Sequence, residues 1–222
     1  MSFTGFSEET FLFLFEIGLN NDKEFYEANK DRYKKYVQQP MRELAAELLP
    51  FAQSFDPLYD TNLNRIVSRI RRDTRFTYDK SPYRDHMWLS FRYPDMRISE
   101  SFSIYFQIRP DGYDYGVGFY SAGSEFMANY RKKLLSDPAG FLKTAKPLTD
   151  AGFIYAAEPY KRQHFPDAPD EIKPFINVKS FIWKKDFKGV RALLAPSDIE
   201  QRLISEWTLL KPMYDYARKL LP

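Results

Sequence analysis

The sequence contains no cysteine and only two histidines, His86 and His164. The lack of cysteine excludes disulfide bonds, thiolate metal sites and cysteine nucleophiles. With two histidines, a metal site built from several imidazoles is also excluded, and a Ser/His/Asp triad would have to use one of the two. His86 is the better catalytic candidate of the pair, because it lies close to a cluster of charged residues in the sequence.

Glycine is scarce, and long apolar runs are missing. The nine glycines form neither a GxGxxG nor a GxxxxGK[ST] motif, so the sequence carries no nucleotide-binding fingerprint. The longest apolar run, residues 11–15, is far shorter than the roughly 20 residues that span a bilayer. No basic leader precedes the first periodic segment. We therefore expect a cytoplasmic protein that does not enter the membrane, and we expect no cofactor and no bound metal.

The formal net charge of +3 is small, but the charge is distributed unevenly along the chain. Residues 1–60 carry 6 basic and 11 acidic side chains, a net of −5, whereas residues 61–109 carry 10 basic and 5 acidic ones, a net of +5. The positive charge is therefore concentrated in one middle segment, which we expect to form a local basic patch.

Aromatic residues are abundant, with 20 Phe, 16 Tyr and 3 Trp making up 18% of the chain. Each ring can bury roughly 150–250 Å², so we expect rings to dominate the core. The residues that we expect in one shared core are Phe11, Phe15, Tyr33, Leu44, Ile70, Phe76, Tyr105, Phe119 and Trp207.

The first quarter of the chain has the pattern of helices. Ser7 is placed to cap a first helix, and Asn21 with Glu24 resembles a capping box for a second. Pro40 suits the first position of a third helix, which we expect Pro50 to end or kink. The apolar stripe of the first helix comprises Phe11, Leu14, Phe15 and Leu19.

The middle of the chain favours strands, because aromatic and β-branched residues replace the helical spacing. Turn residues 110–112 join two of the segments into an antiparallel hairpin. The predicted strands are residues 86–93, 103–108, 113–120 and, less regularly, 180–184.

Helical patterns return in the last part of the chain. Ser124 and the pair Asp137-Pro138 each indicate a helix start. Ser197 with Glu200 is a capping box for a terminal helix, which we expect Pro212 to kink. Helices at both ends and strands between them predict an α+β fold, with a mainly antiparallel central sheet covered by helices from the N-terminal and C-terminal parts. We expect a single domain over residues 1–222.

The densest group of charged residues is the segment 69–84, which reads RxxRDxRFxxDKxxY from Arg69 to Tyr83. This segment resembles the signature of an uncharacterised bacterial and fungal domain-of-unknown-function family, of the DUF 2461 type. The resemblance extends over nearly the whole chain and includes Asn20-Asn21, Asn29-Lys30, Tyr33, Tyr105, the Gly116-x-Gly118 pair and Arg131. One difference is Phe25, which stands where family members often have Trp. The family has no established activity, so the resemblance implies a fold unit and no catalytic residues.

The segment has two interpretations. Its guanidinium forks and its lysine suit a phosphate or a carboxylate, which favours an anion site. Alternatively, the arginines and aspartates neutralise one another in a partly buried structural network. In an extended segment, Arg69, Arg71, Asp73 and Arg75 would share one face, and three arginines exceed what one aspartate neutralises.

We therefore predict a cleft between this segment and the glycine pair that binds a small anionic, phosphorylated ligand. The predicted ligand-binding residues are Arg69, Arg72, Arg75, Lys80, Arg84, Gly116 and Gly118. If a reaction occurs there, Asp73, Asp79 and His86 are the catalytic candidates. The competing classes are a non-enzymatic interaction protein with a structural arginine network, and a nucleic-acid binder or nuclease. Asp73, Asp79 and Asp85 are a conceivable hard-cation site, but the arginines favour ion pairs.

Overall fold

The structure of the chain is a computed structural model that describes residues 2–75, 78–194 and 198–221. Phe76, which we expected in the core, and Ser197, which we expected to cap the terminal helix, lie outside the described residues. The chain divides into two compact units. The first comprises Met1–Phe91, Tyr105–Tyr115 and Asp186–Ser205, and the second comprises Arg92–Ile104, Gly116–Lys185 and Glu206–Pro222.

The first quarter of the chain is helical, as predicted. Ser7 is the N-cap of the first helix, and its backbone N–H donates to Thr10 Oγ1 over 3.2 Å. The elements are α1 (Glu8–Leu19), α2 (Lys23–Ala28), α3 (Lys30–Arg32), a π-helical segment (Tyr33–Gln38), α4 (Gln39–Phe55) and α5 (Leu63–Ile66).

Two details of the helical prediction are wrong. The cap of α2 is Asp22, whose carboxylate accepts a hydrogen bond from the Phe25 N–H over 2.8 Å, and not Asn21. Pro50 does not end α4, which continues to Phe55, so of the two expected effects the helix end is wrong and the kink stays a prediction. Proline removes one hydrogen bond from a helix interior, and the apolar face of α4, buried along its length, offsets that loss.

The expected burial of Phe15 is also wrong, because its side chain is 54% exposed. At 100° per residue, the buried face of α1 is centred between Phe13 and Leu14, and Phe15 lies about 140° from Thr10 on the opposite side. The residues that α1 buries are Thr10, Phe11, Phe13, Leu14 and Ile17.

Among the described residues, five strands form one antiparallel sheet. The strands are β1 (Met87–Phe91), β2 (Ser103–Arg109), β3 (Gly112–Gly118), β4 (Ile154–Pro159) and β5 (Val178–Lys188). Their order in the sheet is β1-β2-β3-β5-β4. Four of these strands were predicted from the sequence, and β4 was missed because its segment is short and ends at a proline.

Two of the remaining four helices that the structure describes begin where the sequence predicted, at Ser124 and at Pro138, and the short helix Lys173–Ile176 was not predicted. Asp137 caps one of them by accepting a hydrogen bond from the Gly140 N–H over 2.9 Å. The helices are α6 (Ser124–Ser136), α7 (Pro138–Asp150), α8 (Lys173–Ile176) and α9 (Ile199–Arg218), with 3₁₀ turns at Asp170–Ile172 and Arg191–Leu193. The predicted α+β fold, with an antiparallel sheet and helices from both ends of the chain, is therefore confirmed. None of the helices formed by the described residues has both the length and the apolar character that a membrane crossing needs.

Aromatic rings fill the interior of each unit. In the first unit, Phe6 stacks on Phe106 with ring centroids 6.2 Å apart. In the second unit, the rings of Phe119 and Phe126 lie 4.4 Å apart. Such pairs add about 0.5–1.5 kcal/mol each beyond the area that they bury. The predicted core residues that are buried are Phe11, Tyr33, Leu44, Ile70, Phe119 and Trp207, whereas Tyr105 is half-buried. The single domain stays a prediction.

The glycines of β3 lie against the backbone of the neighbouring strand β5. A Cβ atom added to Gly116 would meet the carbonyl oxygen of Trp183 at 2.0 Å, and one added to Gly118 would meet Phe181 O and the Ile182 Cα at 2.6 Å. The backbones approach so closely that only glycine fits at these positions.

We therefore expect Gly116→Ala to destabilise the protein by at least about 1–3 kcal/mol, because backbone cannot move aside as a flexible side chain can. Urea denaturation measures the change in the free energy of unfolding. Gly123→Ala is the matched control, since no heavy atom lies within 4 Å of a Cβ at that position. Equal stability of the two variants would contradict the close approach.

Candidate functional site: the arginine hairpin

The charged segment forms a two-stranded ribbon, which we call the arginine hairpin and define as the described residues between Val67 and Leu89. Val67 pairs with Leu89, and Arg71 pairs with Tyr83, both antiparallel. The ribbon is closed by backbone hydrogen bonds from Arg84 N to Ile70 O (2.8 Å), Arg72 N to Pro82 O (2.9 Å) and Ser68 N to Trp88 O (2.9 Å). The described residues 73–75 and 78–81 therefore belong to the loop at the tip of the ribbon.

Asn21 holds the paired strands of the hairpin at the end next to the loop. Its side-chain amide donates to Tyr83 O over 3.0 Å and accepts from the Tyr83 N–H over 2.9 Å. The buried Tyr83 ring stacks on Tyr26 of α2 with centroids 4.5 Å apart. The hairpin is therefore held in a fixed position against the N-terminal helices. Asn21, which the sequence suggested as a helix cap, instead anchors the hairpin.

Arg84 braces the two strands of the hairpin. Its guanidinium donates to Arg69 O over 2.7 Å and also to Arg71 O, and it lies 5.0 Å from the ring centroid of Trp88. These carbonyl contacts come from within the hairpin itself. Arg84, which we predicted as a ligand-binding residue, is therefore committed to holding the ribbon together.

The cations at the tip are paired within the loop. Arg75 donates to both carboxylate oxygens of Asp73, over 3.0 and 2.8 Å, and Arg72 forms an ion pair with Asp79. Lys80 donates to Thr74 O over 2.8 Å. The alternation of side chains between two faces, predicted for an extended segment 69–76, ends at Asp73. There the chain turns, and the Asp73 carboxylate also accepts a hydrogen bond from the backbone N–H of Arg75 (3.2 Å).

The pairing between Arg75 and Asp73 is exposed to solvent. The side chains are 76% and 51% exposed. Hydrogen bonds from the Arg75 side chain, and then from its backbone N–H, lower the pKa of Asp73 to about 2. The same pair raises the pKa of Arg75. A carboxylate with so low a pKa is a weak base at neutral pH, so this environment does not favour Asp73 as a general base.

His86 contacts residues next to it in the hairpin. Its Nδ1 lies 2.8 Å from Asp85 Oδ1, and its ring stacks on Trp88 with centroids 5.7 Å apart. Asp73, Asp79 and Asp85 are thus paired with three different partners. Across the described parts of the chain, no three Asp, Glu or His side chains are grouped closely enough to hold a metal ion.

The structure places the predicted glycine pair at a strand contact. The space that side chains at Gly116 and Gly118 would take is occupied by the β5 backbone, which leaves no groove for a ligand over these residues. The packing of β3 against β5 accounts for both glycines. We therefore leave them out of the candidate site.

A buried polar cluster was missed by the sequence analysis. The carboxylate of Asp114 is 6% exposed and accepts from Tyr105 Oη (2.7 Å), Gln107 Nε2 (3.3 Å) and the Arg109 guanidinium. Arg109 also reaches Asp186 over 2.8 Å. Burial, and then the charge of Asp114, raise the pKa of Tyr105 well above its ordinary value. The sequence signal for this cluster was the polar residue at every second position of β2. Because these side chains donate to a buried carboxylate, the cluster is a structural network.

The fold and the hairpin define an α+β protein whose charged signature lies on an exposed ribbon. The profile of a family described as a conserved hypothetical protein (DUF2461) matches residues 9–216, and the chain belongs to this family. The resemblance inferred from the sequence is therefore confirmed at the level of the family. No curated protein matches the chain.

We expect the Asp73 carboxyl group to titrate at about pH 2 in the native protein and at a higher pH in Arg75→Ala, which loses the side-chain hydrogen bonds but keeps the backbone N–H. Because the native pKa lies below the unfolded one, the pair favours the native state above the ordinary carboxyl range, and this contribution is lost as the pH falls through about 2. Carboxyl carbon NMR measures the midpoint. Lys80→Ala is the control, since Lys80 contacts Thr74 O and not Asp73; an unchanged midpoint in Arg75→Ala would contradict the pairing.

Proposed function

We propose that the arginine hairpin binds a small anionic, phosphorylated ligand at its tip, through Arg72, Arg75 and Lys80. The observation that carries the proposal is the solvent exposure of the Arg75–Asp73 ion pair. Exposed ion pairs contribute about 0–1 kcal/mol, so a ligand anion can replace the Asp73 carboxylate at little cost. A phosphate offers more charge and more acceptor oxygens to the guanidinium fork than a carboxylate does.

The charge of the hairpin supports this proposal. Residues 69–85 contain six cations and three carboxylates, so an excess of three positive charges remains after every carboxylate is paired. Arg69 and Arg71 are exposed and contribute to this excess, which the ion pair between Arg71 and Glu27 (3.9 Å) partly reduces. An excess of positive charge on exposed side chains attracts anions and raises their association rate.

The contacts that hold the paired strands next to the loop provide the rigidity that a binding site needs. Asn21 and the buried Tyr83 hold the ribbon, and Arg84 ties its two strands together. A ligand at the tip therefore meets donors that are already positioned, which lowers the entropic cost of binding. The proposal is for binding and names no reaction. A cytoplasmic location stays a prediction from the sequence.

We expect inorganic phosphate, pyrophosphate or a phosphorylated metabolite to raise the melting temperature of the wild-type protein. At a ligand concentration about 100 times the dissociation constant, binding adds about 2.7 kcal/mol, which corresponds to roughly 5–10 °C for a chain of this length. Arg75→Ala should abolish the shift and leave the melting temperature without ligand nearly unchanged, because the Arg75–Asp73 pair is exposed.

Two further variants sharpen this test. Asp73→Asn should bind the anion more tightly than wild type, since it removes the competing charge and keeps an oxygen for the Arg75 N–H. Lys161→Ala, an exposed cation outside the hairpin, should behave as wild type. The absence of any anion response in wild type, together with strong destabilisation of Arg75→Ala, would favour the alternative in which the arginines are a structural network.

A second candidate function is the binding of single-stranded nucleic acid, favoured by Tyr78. This tyrosine lies in the loop between the paired cations and its ring is fully exposed to solvent. An exposed ring beside guanidinium groups suits base stacking combined with phosphate contacts. The acidic N-terminal helices oppose a long polyanion, so the small anion remains the leading proposal.

If this second function holds, a short single-stranded oligonucleotide binds weakly at physiological salt and loses affinity steeply as salt rises. Tyr78→Ala should then lower the affinity about tenfold, the loss of roughly one stacked base. Tyr120→Ala is the matched control, because Tyr120 is 87% exposed and lies outside the hairpin. Fluorescence anisotropy with a labelled oligonucleotide measures both effects, and equal affinities of the two variants would exclude a stacking role for Tyr78.

A further inference from the structure

Helix α1 exposes a row of large apolar side chains on the side opposite its buried face. Leu12 is 46% exposed, Phe15 54% and Leu19 70%. At 100° per residue these positions lie within about 60° of one another, with the spacing i, i+3 and i+7 by which one helix contacts another. We call the three side chains the α1 stripe. Single exposed apolar residues are common on protein surfaces, whereas a row of them on one helix face marks an interaction surface.

The charges next to the α1 stripe are mostly negative. Glu8 lies on the same face, about one turn before Leu12, and is exposed. Glu9 and Glu16 lie along one flank of the stripe, and both pair with the same cation, Arg32. These pairs leave one carboxylate charge in excess, and α1 itself contains no basic residue. One border of the stripe is therefore negatively charged.

The other border of the α1 stripe is also acidic. Gly18 lies on this side, and a Cβ atom added to it would be 3.3 Å from the Asp85 Cβ, so Asp85 lies beside α1. The Asp85 carboxylate pairs with His86 Nδ1 over 2.8 Å and stays half exposed. The neighbouring Arg84 donates to two backbone carbonyl groups within the hairpin. Residues 1–32 carry seven acidic and three basic side chains, a net of −4, so the stripe lies in a region of negative charge.

The charge and the size of this surface select its occupant. A second copy that presented the same face would bring two acidic borders together, and an anionic lipid surface would be repelled. Three partly exposed side chains also offer much less area than the roughly 800 Å² that each partner buries in a standard protein–protein interface. A single amphipathic helix with basic residues beside its apolar face matches the length, the spacing and the charge of the stripe.

We propose that the α1 stripe docks a basic amphipathic helix of a partner protein. The apolar side chains of the partner lie against Leu12, Phe15 and Leu19, and its lysine or arginine side chains lie over Glu8 and the flanking carboxylates. Apolar contact stabilises the complex through area removed from water, and the charges at the rim set the orientation and the association rate. This surface is separate from the anion site proposed at the tip of the hairpin.

The test uses the full chain and a labelled synthetic peptide of about 18 residues, or five helical turns, with leucine along one face and lysine on the other. We expect fluorescence anisotropy to show binding, and we expect the peptide to shift the methyl NMR signals of Leu12 and Leu19. Phe15→Ser and Leu19→Ser should each weaken binding about tenfold or more, the loss of one apolar anchor. Both side chains are exposed, so the variants should keep the wild-type melting temperature.

A second arm tests the charge. A peptide with glutamate in place of every lysine has the same apolar face, and it should bind at least about tenfold more weakly than the lysine peptide. Glu8→Lys should weaken binding of the lysine peptide about fivefold, because one exposed attraction becomes a repulsion. Glu125→Lys is the matched control, since Glu125 is an exposed acid in the first turn of α6.

Leu135→Ser is the control for Leu19→Ser, because Leu135 is a half-exposed leucine in the last turn of another helix, and it should keep the wild-type affinity. Failure of the wild-type protein to bind the lysine peptide at sub-millimolar concentrations would overturn the proposal. Equal affinity for the two peptides, or wild-type affinity of Phe15→Ser, would overturn it as well. A dimer of the full chain that Phe15→Ser dissociates would assign the stripe to a second copy instead.

Discussion

The pair of hydrogen bonds between the Asn21 amide and the backbone of Tyr83 fixes the geometry of the charged segment. A ribbon with six cations would otherwise be pushed apart by its own charge, and an isolated two-stranded hairpin is marginally stable in water. Asn21 and the stacking of Tyr83 on Tyr26 join the ribbon to the N-terminal helices. Because the strands are held next to the loop in this way, the tip can carry charges whose pairing contributes little to the stability of the fold.

Asp114 and Asp73 show how burial decides the function of an aspartate that pairs with arginine. Asp114 is 6% exposed and accepts from three side chains, so removing a partner would leave a buried charge at a cost of about 3–5 kcal/mol. Asp73 is 51% exposed, so water would solvate its carboxylate if Arg75 turned to another anion. The first network is therefore structural, whereas the exposure of the second pair is compatible with the exchange that the proposed binding site requires.

The sequence predicted the fold class, four strands and most helix starts, because these depend on local signals such as caps, turn residues and alternation. It failed where a tertiary contact decides. Phe15 was expected in the core from its helical spacing, but the phase of α1 is set by the residues that it packs against. Asn21 was interpreted as a cap because its contact with Tyr83 is 62 residues away in sequence.

The distribution of charge along the hairpin determines which anions the proposed site favours. Residues 69–85 have a net charge of +3, whereas the described residues of the tip loop carry two cations and two carboxylates. The attraction for an anion would therefore come from the whole ribbon and would favour multiply charged ligands, and salt would screen it. The salt dependence of binding tests this proposal, because an anion held by the charge of the hairpin would be released as ionic strength rises.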